Sequence, residues 1–264
     1  MDLPRIQAFE LNDSASTPKF IRDMVIESLS RTLRWGRMLK PLVPPFQRFL
    51  AESGATEVLD LCAGAAGPAS ILASEMREGG GKMPRFVLTD LFPQIDAWEA
   101  ARAEQPDAID FVSEPVDATQ IPESLSKGRA RTIINAFHHF PPEVARALFA
   151  DAVRGSSGIF VSESFDRNPL RFLPFAPAGL PALLATPLLS PRDRLAKAAF
   201  TWLTPGALAV SAWDGIVSTL RVYSEADLFE MVAPLGDAFR WEYGTYRFAP
   251  FGKGTYFYGV PRGA

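Results

Sequence analysis

Acids and small residues recur in this chain where strand-like segments end, and their spacing describes a site for a nucleotide-like ligand. Val58-Leu59-Asp60-Leu61 opens directly into Cys62-Ala63-Gly64-Ala65-Ala66-Gly67-Pro68, and a helix-like stretch follows. Small residues let backbone N–H groups come close to a ligand, and the next helix turns its positive N-terminus toward it. Cys62, Gly64 and Gly67 keep the G-x-G-x-x-G spacing of a dinucleotide loop, with cysteine in the first glycine's place. Asp60 is placed for the ligand's charge or its hydroxyls; the competing reading is an ordinary tight strand-to-helix turn. Asp90 then ends a second strand, Asp117-Ala118 follows a third, and Asn135-Ala136-Phe137-His138-His139-Phe140 leaves a fourth. Two of these acids have simpler uses: Asp90 as the N-cap of a helix starting near Pro93, Asp117 as an Asx turn before Ile121-Pro122.

The elements that must position these residues alternate. Strands are expected over 58–61, 86–89, 109–113, 131–135 and 158–162, with helices over 68–76, 94–104 and 142–153 between them. Such alternation gives a parallel sheet covered on both faces, an α/β architecture whose ligands sit outside the carboxyl ends of the strands. Two helices precede it. Thr17-Pro18 reads as an N-cap with proline at the first helical position, and Pro44-Pro45 opens the second helix. After the fifth strand the pattern breaks into an apolar, proline-punctuated stretch, 168–211. Ser224 with Asp227 then reads as a weak capping box, and two aromatic-rich strands, 239–248 and 254–260, form an antiparallel hairpin. The division expected is 1–57 as an N-terminal helical cap, 58–167 as the Rossmann-like core, 168–212 as an apolar lid insert and 213–264 as the completion of the core sheet.

Composition narrows the function classes. The 264 residues are 47% hydrophobic and 22% charged, as in an ordinary globular chain with a sizeable core. A net charge of −3 offers no electrostatic footprint for nucleic acid. A single cysteine excludes an internal disulfide framework and fits a reducing, cytoplasmic setting. Two histidines and one cysteine make no zinc-type cluster, so no metal is expected. The uncharged part of the insert, 172–191, has membrane-span length except for its arginine-free but proline-rich composition, whose prolines are expected to break a continuous helix.

The order of these features resembles the class I S-adenosylmethionine-dependent methyltransferases, motif by motif from Val58 to Ser162 and by pattern alone in the closing hairpin. Against that family's acid-x-G-x-G-x-G loop, Cys62 and Ala66 stand where the first and third glycines would be. The rest of the chain is similar to a bacterial small-molecule subgroup that shares Asp60 to Pro68, Phe137 to Phe140, the apolar insert and Trp213 to Tyr223. The resemblance implies S-adenosyl-L-methionine as cofactor. Asp60, Ala63 and Gly64 would hold its methionine part, and Asp90 its ribose hydroxyls. Leu91 would flank the adenine, Asp117 and Ala118 would read its edge, and Asn135 and Ala136 would face the sulfonium end.

Methyl transfer from a sulfonium needs alignment and exclusion of water, and a base only when the acceptor must lose a proton. His138 and His139 leave strand four toward the transfer site and are the candidate bases; the alternative is packing, or capping the next helix. Glu163, ending strand five, is the next catalytic candidate. Asp214-Gly215 is a polar candidate or a turn, and Arg221 pairs with either acid or clamps substrate. The greasy insert implies a small apolar or amphipathic acceptor, lipid-like or a natural product, with peripheral contact at the inner face of a membrane as an extension. Its bland counterpart is a helical cap that buries its own side chains, against which the first two helices are expected to pack. The rival functions are an NAD(P)-dependent oxidoreductase, which leaves Asp117-Ala118 and the hairpin unexplained, and a non-catalytic cofactor- or lipid-binding domain of the same fold.

Overall fold

Strand and helix alternate from Glu57 onward in the computed structural model, which describes residues 4–14, 16–80 and 82–263. Two helices come first, α1 (Lys19–Trp35) and α2 (Val43–Ser53). The alternating core is β1 (Glu57–Leu61), α3 (Gly67–Glu78), β2 (Arg85–Thr89), α4 (Ile95–Glu104), β3 (Ile109–Phe111), the single turn α5 (Glu123–Ser126), β4 (Ala130–Ile134), α6 (Pro142–Gly155) and β5 (Ile159–Glu163). The insert holds α7 (Ala176–Leu189), α8 (Arg194–Trp202) and α9 (Gly206–Arg221). The chain closes with α10 (Glu225–Val232), β6 (Phe239–Phe248) and β7 (Gly252–Pro261).

The seven strands form one sheet in the order β3-β2-β1-β4-β5-β7-β6. The first five are parallel, and β7 runs antiparallel between β5 and β6. This is the expected Rossmann-like α/β fold with a closing antiparallel hairpin. Chain order reverses between β1 and β4, and such a reversal leaves a crevice at the strands' carboxyl ends because successive crossovers leave in opposite directions.

Alternating side chains feed two cores. Val58, Phe86 and Phe160 face Phe46, Phe49 and Leu72 on one side of the sheet. Leu59, Leu61, Ile133 and Val161 face Leu148, Phe149 and Leu228 on the other. The rings of α2 thus belong to the sheet's own core: Phe46 stacks on Phe86, and Phe49 packs against Phe160 and Tyr258. Of the two N-terminal helices expected to pack on the insert, α1 does so, against α7, α8 and α9, while α2 packs on β7 and α3. A third cluster of Met24, Leu183 and Ala207 joins α1 to the insert. So does the fully buried Lys197, whose Nζ lies 2.9 Å from Glu27 Oε1 and 3.0 Å from Ser190 Oγ.

Local expectations were met and missed for identifiable reasons. Ser224 and Asp227 make a complete capping box. Thr17 does not cap α1; its hydroxyl donates to Leu11 O at 2.7 Å, which folds the N-terminal segment back. The insert's prolines do not break its helix: Pro181 and Pro187 lie inside α7, and Pro169–Leu189 is helical throughout, long and apolar enough to cross a membrane by length and composition alone. Helix α9 runs through the expected boundary at 212–213, because Trp213-Asp214-Gly215 continues it; Phe172 packs where a Gly215 side chain would stand.

Candidate active site

The rim above β1 and β4 is built from backbone in an unusual conformation. Cys62, Gly64, Ala66 and Asn135 all have left-handed φ, between 51° and 63°. Only glycine adopts this freely, and asparagine tolerates it better than cysteine or alanine, so the loop holds steric strain at two side-chain-bearing positions. Bonds from several elements hold that shape. Asp90 Oδ2 accepts the Gly64 N–H at 2.9 Å, and Asp90 Oδ1 accepts the Phe92 N–H at 2.9 Å. Ala63 N–H donates to Thr89 O at 3.0 Å, and Trp98 Nε1 donates to Gly64 O at 2.7 Å. Gly67 is required for a different reason: a Cβ there would stand 2.5 Å from Ser30 Oγ of α1.

Three carboxylates converge on this loop. Burial above all, then the charges of Asp90, Asp60 and Asp117, push the Cys62 thiol up. Asp60 pairs with Thr132 in the β1–β4 register, and the Thr132 hydroxyl donates to Asp60 Oδ1 at 2.7 Å. Burial nonetheless pushes Asp60 up to about 7, with Asp90 adding to it against that hydrogen bond. Asp117 is exposed, and its Oδ1 accepts from the N–H and hydroxyl of Thr119, which hold it below the usual carboxylate range. It therefore makes an Asx turn, while the Val116 N–H bonds Asp90 O at 2.9 Å and keeps the turn beside the rim. Ala118 is buried in the second core, whereas Leu91 lies half exposed at the rim. The Asn135 N–H bonds Ser162 O at 2.8 Å, and Asn135 Oδ1 accepts the Ser164 N–H at 2.7 Å. Its Nδ2 is buried without a partner among the described residues. Ala136 follows and leads into the 3₁₀ turn Phe137–His139.

Next to the rim lies a cavity of about 590 Å³ between α1, the insert and that turn. Its wall is mostly apolar, with Val25, Leu29, Phe172, Leu180, Leu183 and Ile216, and its polar end holds Glu10, Asn135, His138, His139, Asp214 and Ser218. Asn135 belongs to rim and cavity alike. His138 is buried, and Glu163 takes both its N–H and its Nδ1, each at 2.9 Å. Glu163, a catalytic candidate by sequence, lies behind the histidine and does not line the cavity, with both its oxygens on His138. His139 stacks on His138 with ring centroids 4.2 Å apart and meets Asp13 Oδ1 at 2.9 Å.

A segment without local sequence signature covers this polar end. Residues 5–13 run between α9 and the Phe137–His139 turn. Asp214 accepts the N–H groups of Leu11 and Asn12 at 2.7 and 2.9 Å, so it holds this strap from within a helix and makes no turn. Arg221 reaches neither Glu163 nor Asp214 in an ion pair; its Nη1 lies 3.1 Å from Glu10 and 2.6 Å from Asp13. Burial raises Glu10 to about 7 against the charges of His139 and Arg221, and raises Asp214 as well. At Asp13 burial acts in the same sense, but the bonds and charges of His139 and Arg221 win and hold it down at about 2.

No protein-family model matches the chain, and no curated protein sequence does. Solved structures share its fold. One is the plantazolicin methyltransferase BpumL in complex with SAH, at TM-score 0.55 and 10% identity over 96% of this chain and 94% of that one. A second is a putative O-methyltransferase from Nostoc punctiforme PCC 73102, at TM-score 0.51 and 14% identity over 97% of this chain and 64% of that one. A third is the methyltransferase domain of bacterial CtHen1-CN, at TM-score 0.50 and 10% identity over 84% of this chain and 99% of that one. The chain has the fold of the class I S-adenosylmethionine-dependent methyltransferases.

Proposed function

We propose that this chain transfers a methyl group from S-adenosyl-L-methionine to a small acceptor with an apolar body, by in-line displacement. The observation that carries this is Asn135, which directly follows β4 at the crevice and also lines the cavity, so one residue joins the cofactor rim to the acceptor chamber. The residues present fit the cofactor. The left-handed loop keeps its backbone near the crevice, a Cβ at Gly64 would meet nothing closer than Ile26 at 3.9 Å, and Asn135 Nδ2 is a buried donor without a partner among the described residues. When bound, S-adenosylmethionine supplies an electrophilic methyl group on an already activated sulfur.

Asp90 accepts from the ribose hydroxyls while keeping its hold on Gly64, since a carboxylate has lone pairs for both. Asp117, Ala118 and Leu91 are assigned to the adenine. Asp60, Ala63, Gly64, Asn135 and Ala136 are assigned to the methionine side; there Ala63 and Gly64 act by shape, because their own N–H groups are already bonded. His138, held in one orientation by Glu163, is the general base for a protic acceptor, with His139 beside it. The acceptor is amphipathic, given the apolar chamber wall. Leu170, Leu184, Leu188, Leu195 and Leu203, exposed on the insert, support transient contact with a lipid surface.

The solved structures that share the fold are described as methyltransferases, and they lend no support to the oxidoreductase alternative. Calorimetry with S-adenosylhomocysteine and with NADH tests the proposal. The first is expected to bind and the second not; NADH binding alone would overturn it.

A further inference from the structure

We infer that Glu10 and His138 form an acceptor-head subsite that grips a hydroxyl group, so that the acceptor is an alcohol, phenol or enol on an apolar body. This rests on the methyl transfer proposed above and narrows its substrate class.

The imidazole is held from behind. With Nδ1–H donated to Glu163 at 2.9 Å, Nε2 is left as the accepting nitrogen. That Nε2 is buried and has no partner among the described residues, although the His138 side chain lines the chamber. Buried polar atoms are ordinarily hydrogen-bonded, so this one calls for a group that the described residues do not supply. Across from it, Glu10 Oε1 lies at 3.9 Å. This is too far for a direct bond and suits a single oxygen between the two. An oxygen at ordinary hydrogen-bond distance from both atoms subtends ~90°, within reach of its lone-pair and O–H directions.

The chemistry of the pair selects the group. Nε2 takes a hydrogen bond, so the group must donate one. Burial raises the Glu10 carboxyl to about 7, so its protonated form is present near neutrality and returns a hydrogen bond to the same oxygen. A hydroxyl does both; a methyl ether only accepts. Arg221 Nη1 and Ser218 Oγ, each 3.1 Å from the same Oε1, fix the position of that oxygen. Glu10, His138 and His139 also lie close enough to share a metal ion, with ligand atoms within 4.8 Å of one another. Arg221 already sets its charge against Glu10 and Asp13, however, which opposes a second cation there.

The test uses 4-hexylphenol and its methyl ether, titrated by calorimetry into the protein saturated with S-adenosylhomocysteine. The phenol is expected to bind at least ~tenfold more tightly, because the ether leaves Nε2 unpaired. In Glu10→Gln and in His138→Phe the preference should fall to about threefold or less, while affinity for S-adenosylhomocysteine stays unchanged. Equal binding of the two ligands, a preference kept in Glu10→Gln, or no binding of either would overturn the inference. So would tight Mn²⁺ binding that displaces the phenol and is lost in Glu10→Gln. If S-adenosylhomocysteine itself fails to bind, the methyl-transfer proposal falls, which is a separate result.

Discussion

At the rim, shape is set by short-range features: a few left-handed residues and strand-end acids that bond the loop beside them, as Asp90 bonds Gly64. At the chamber's polar end, the strap is held by parts of the chain far away in sequence. Asp214 holds Leu11 from 203 positions along, and Arg5 donates to His138 O and Phe140 O at 3.1 Å from the strap. The contrast teaches that the cofactor grip and the acceptor choice proposed above rest on separable structure. The first resides in the sheet and its crossovers, the second in a cap assembled around them.

The largest effect that can break this contrast is at the cap's anchor. Lys197 is fully buried, and Glu27 is its anionic partner. Glu27→Ala leaves that ammonium uncompensated and is expected to cost ~3–5 kcal/mol. It should shift the emission of Trp202, whose indole bonds Leu184 O across the cap, while affinity for S-adenosylhomocysteine holds within about threefold. Loss of that affinity would show the two regions to be one.

Asp90→Ala probes the other side. It removes the proposed ribose acceptor and releases the Gly64 N–H, so affinity for S-adenosylhomocysteine is expected to drop by ~1–3 kcal/mol, with 4-hexylphenol binding unaltered. Unchanged cofactor affinity would remove the ribose assignment.

The smallest effect sharpens the electrostatic contrast. Glu10 and Asp60 both hold protons up to about 7 in the folded chain, above their ordinary values of 4.5 and 3.8. Between those values and 7 the native state binds more protons than the unfolded one, so stability falls as pH rises and then levels off. Asp13, held at about 2, contributes stability that is present above its ordinary 3.8 and is lost below it as pH falls toward 2. Glu10→Gln removes one of the two upper groups. Its melting temperature relative to the parent should therefore gain between pH 5 and 7.5, by the equivalent of ~1–2 kcal/mol. A difference constant with pH would place Glu10 in contact with water.

The sheet was legible because period-two apolar runs broken by turn residues leave few other ways to bury both faces, and the same logic puts Asp60, Asp90 and Asn135 at strand ends. The strap was not legible. Residues 4–14 carry no apolar period, and their partners Asp214 and Arg221 give no local hint that they accept amides or pair with Glu10. Glu163 was visible as a strand-end acid, but its direction depends on the turn after β4, which only the packed structure fixes. Pro181 and Pro187 misled for a related reason: burial of Ala182, Leu183 and Thr186 against neighbouring helices outweighs what those prolines remove.

Those two prolines have a further consequence. Each withholds a rung from the ladder of α7, leaving the carbonyls of Pro177 and Leu183 without their usual donors. The helix that roofs the chamber is thereby weaker in itself than any strand beneath it. It should be among the first segments to breathe, opening at a free energy well below that of global unfolding. Such an opening would admit bulky guests through the covering itself.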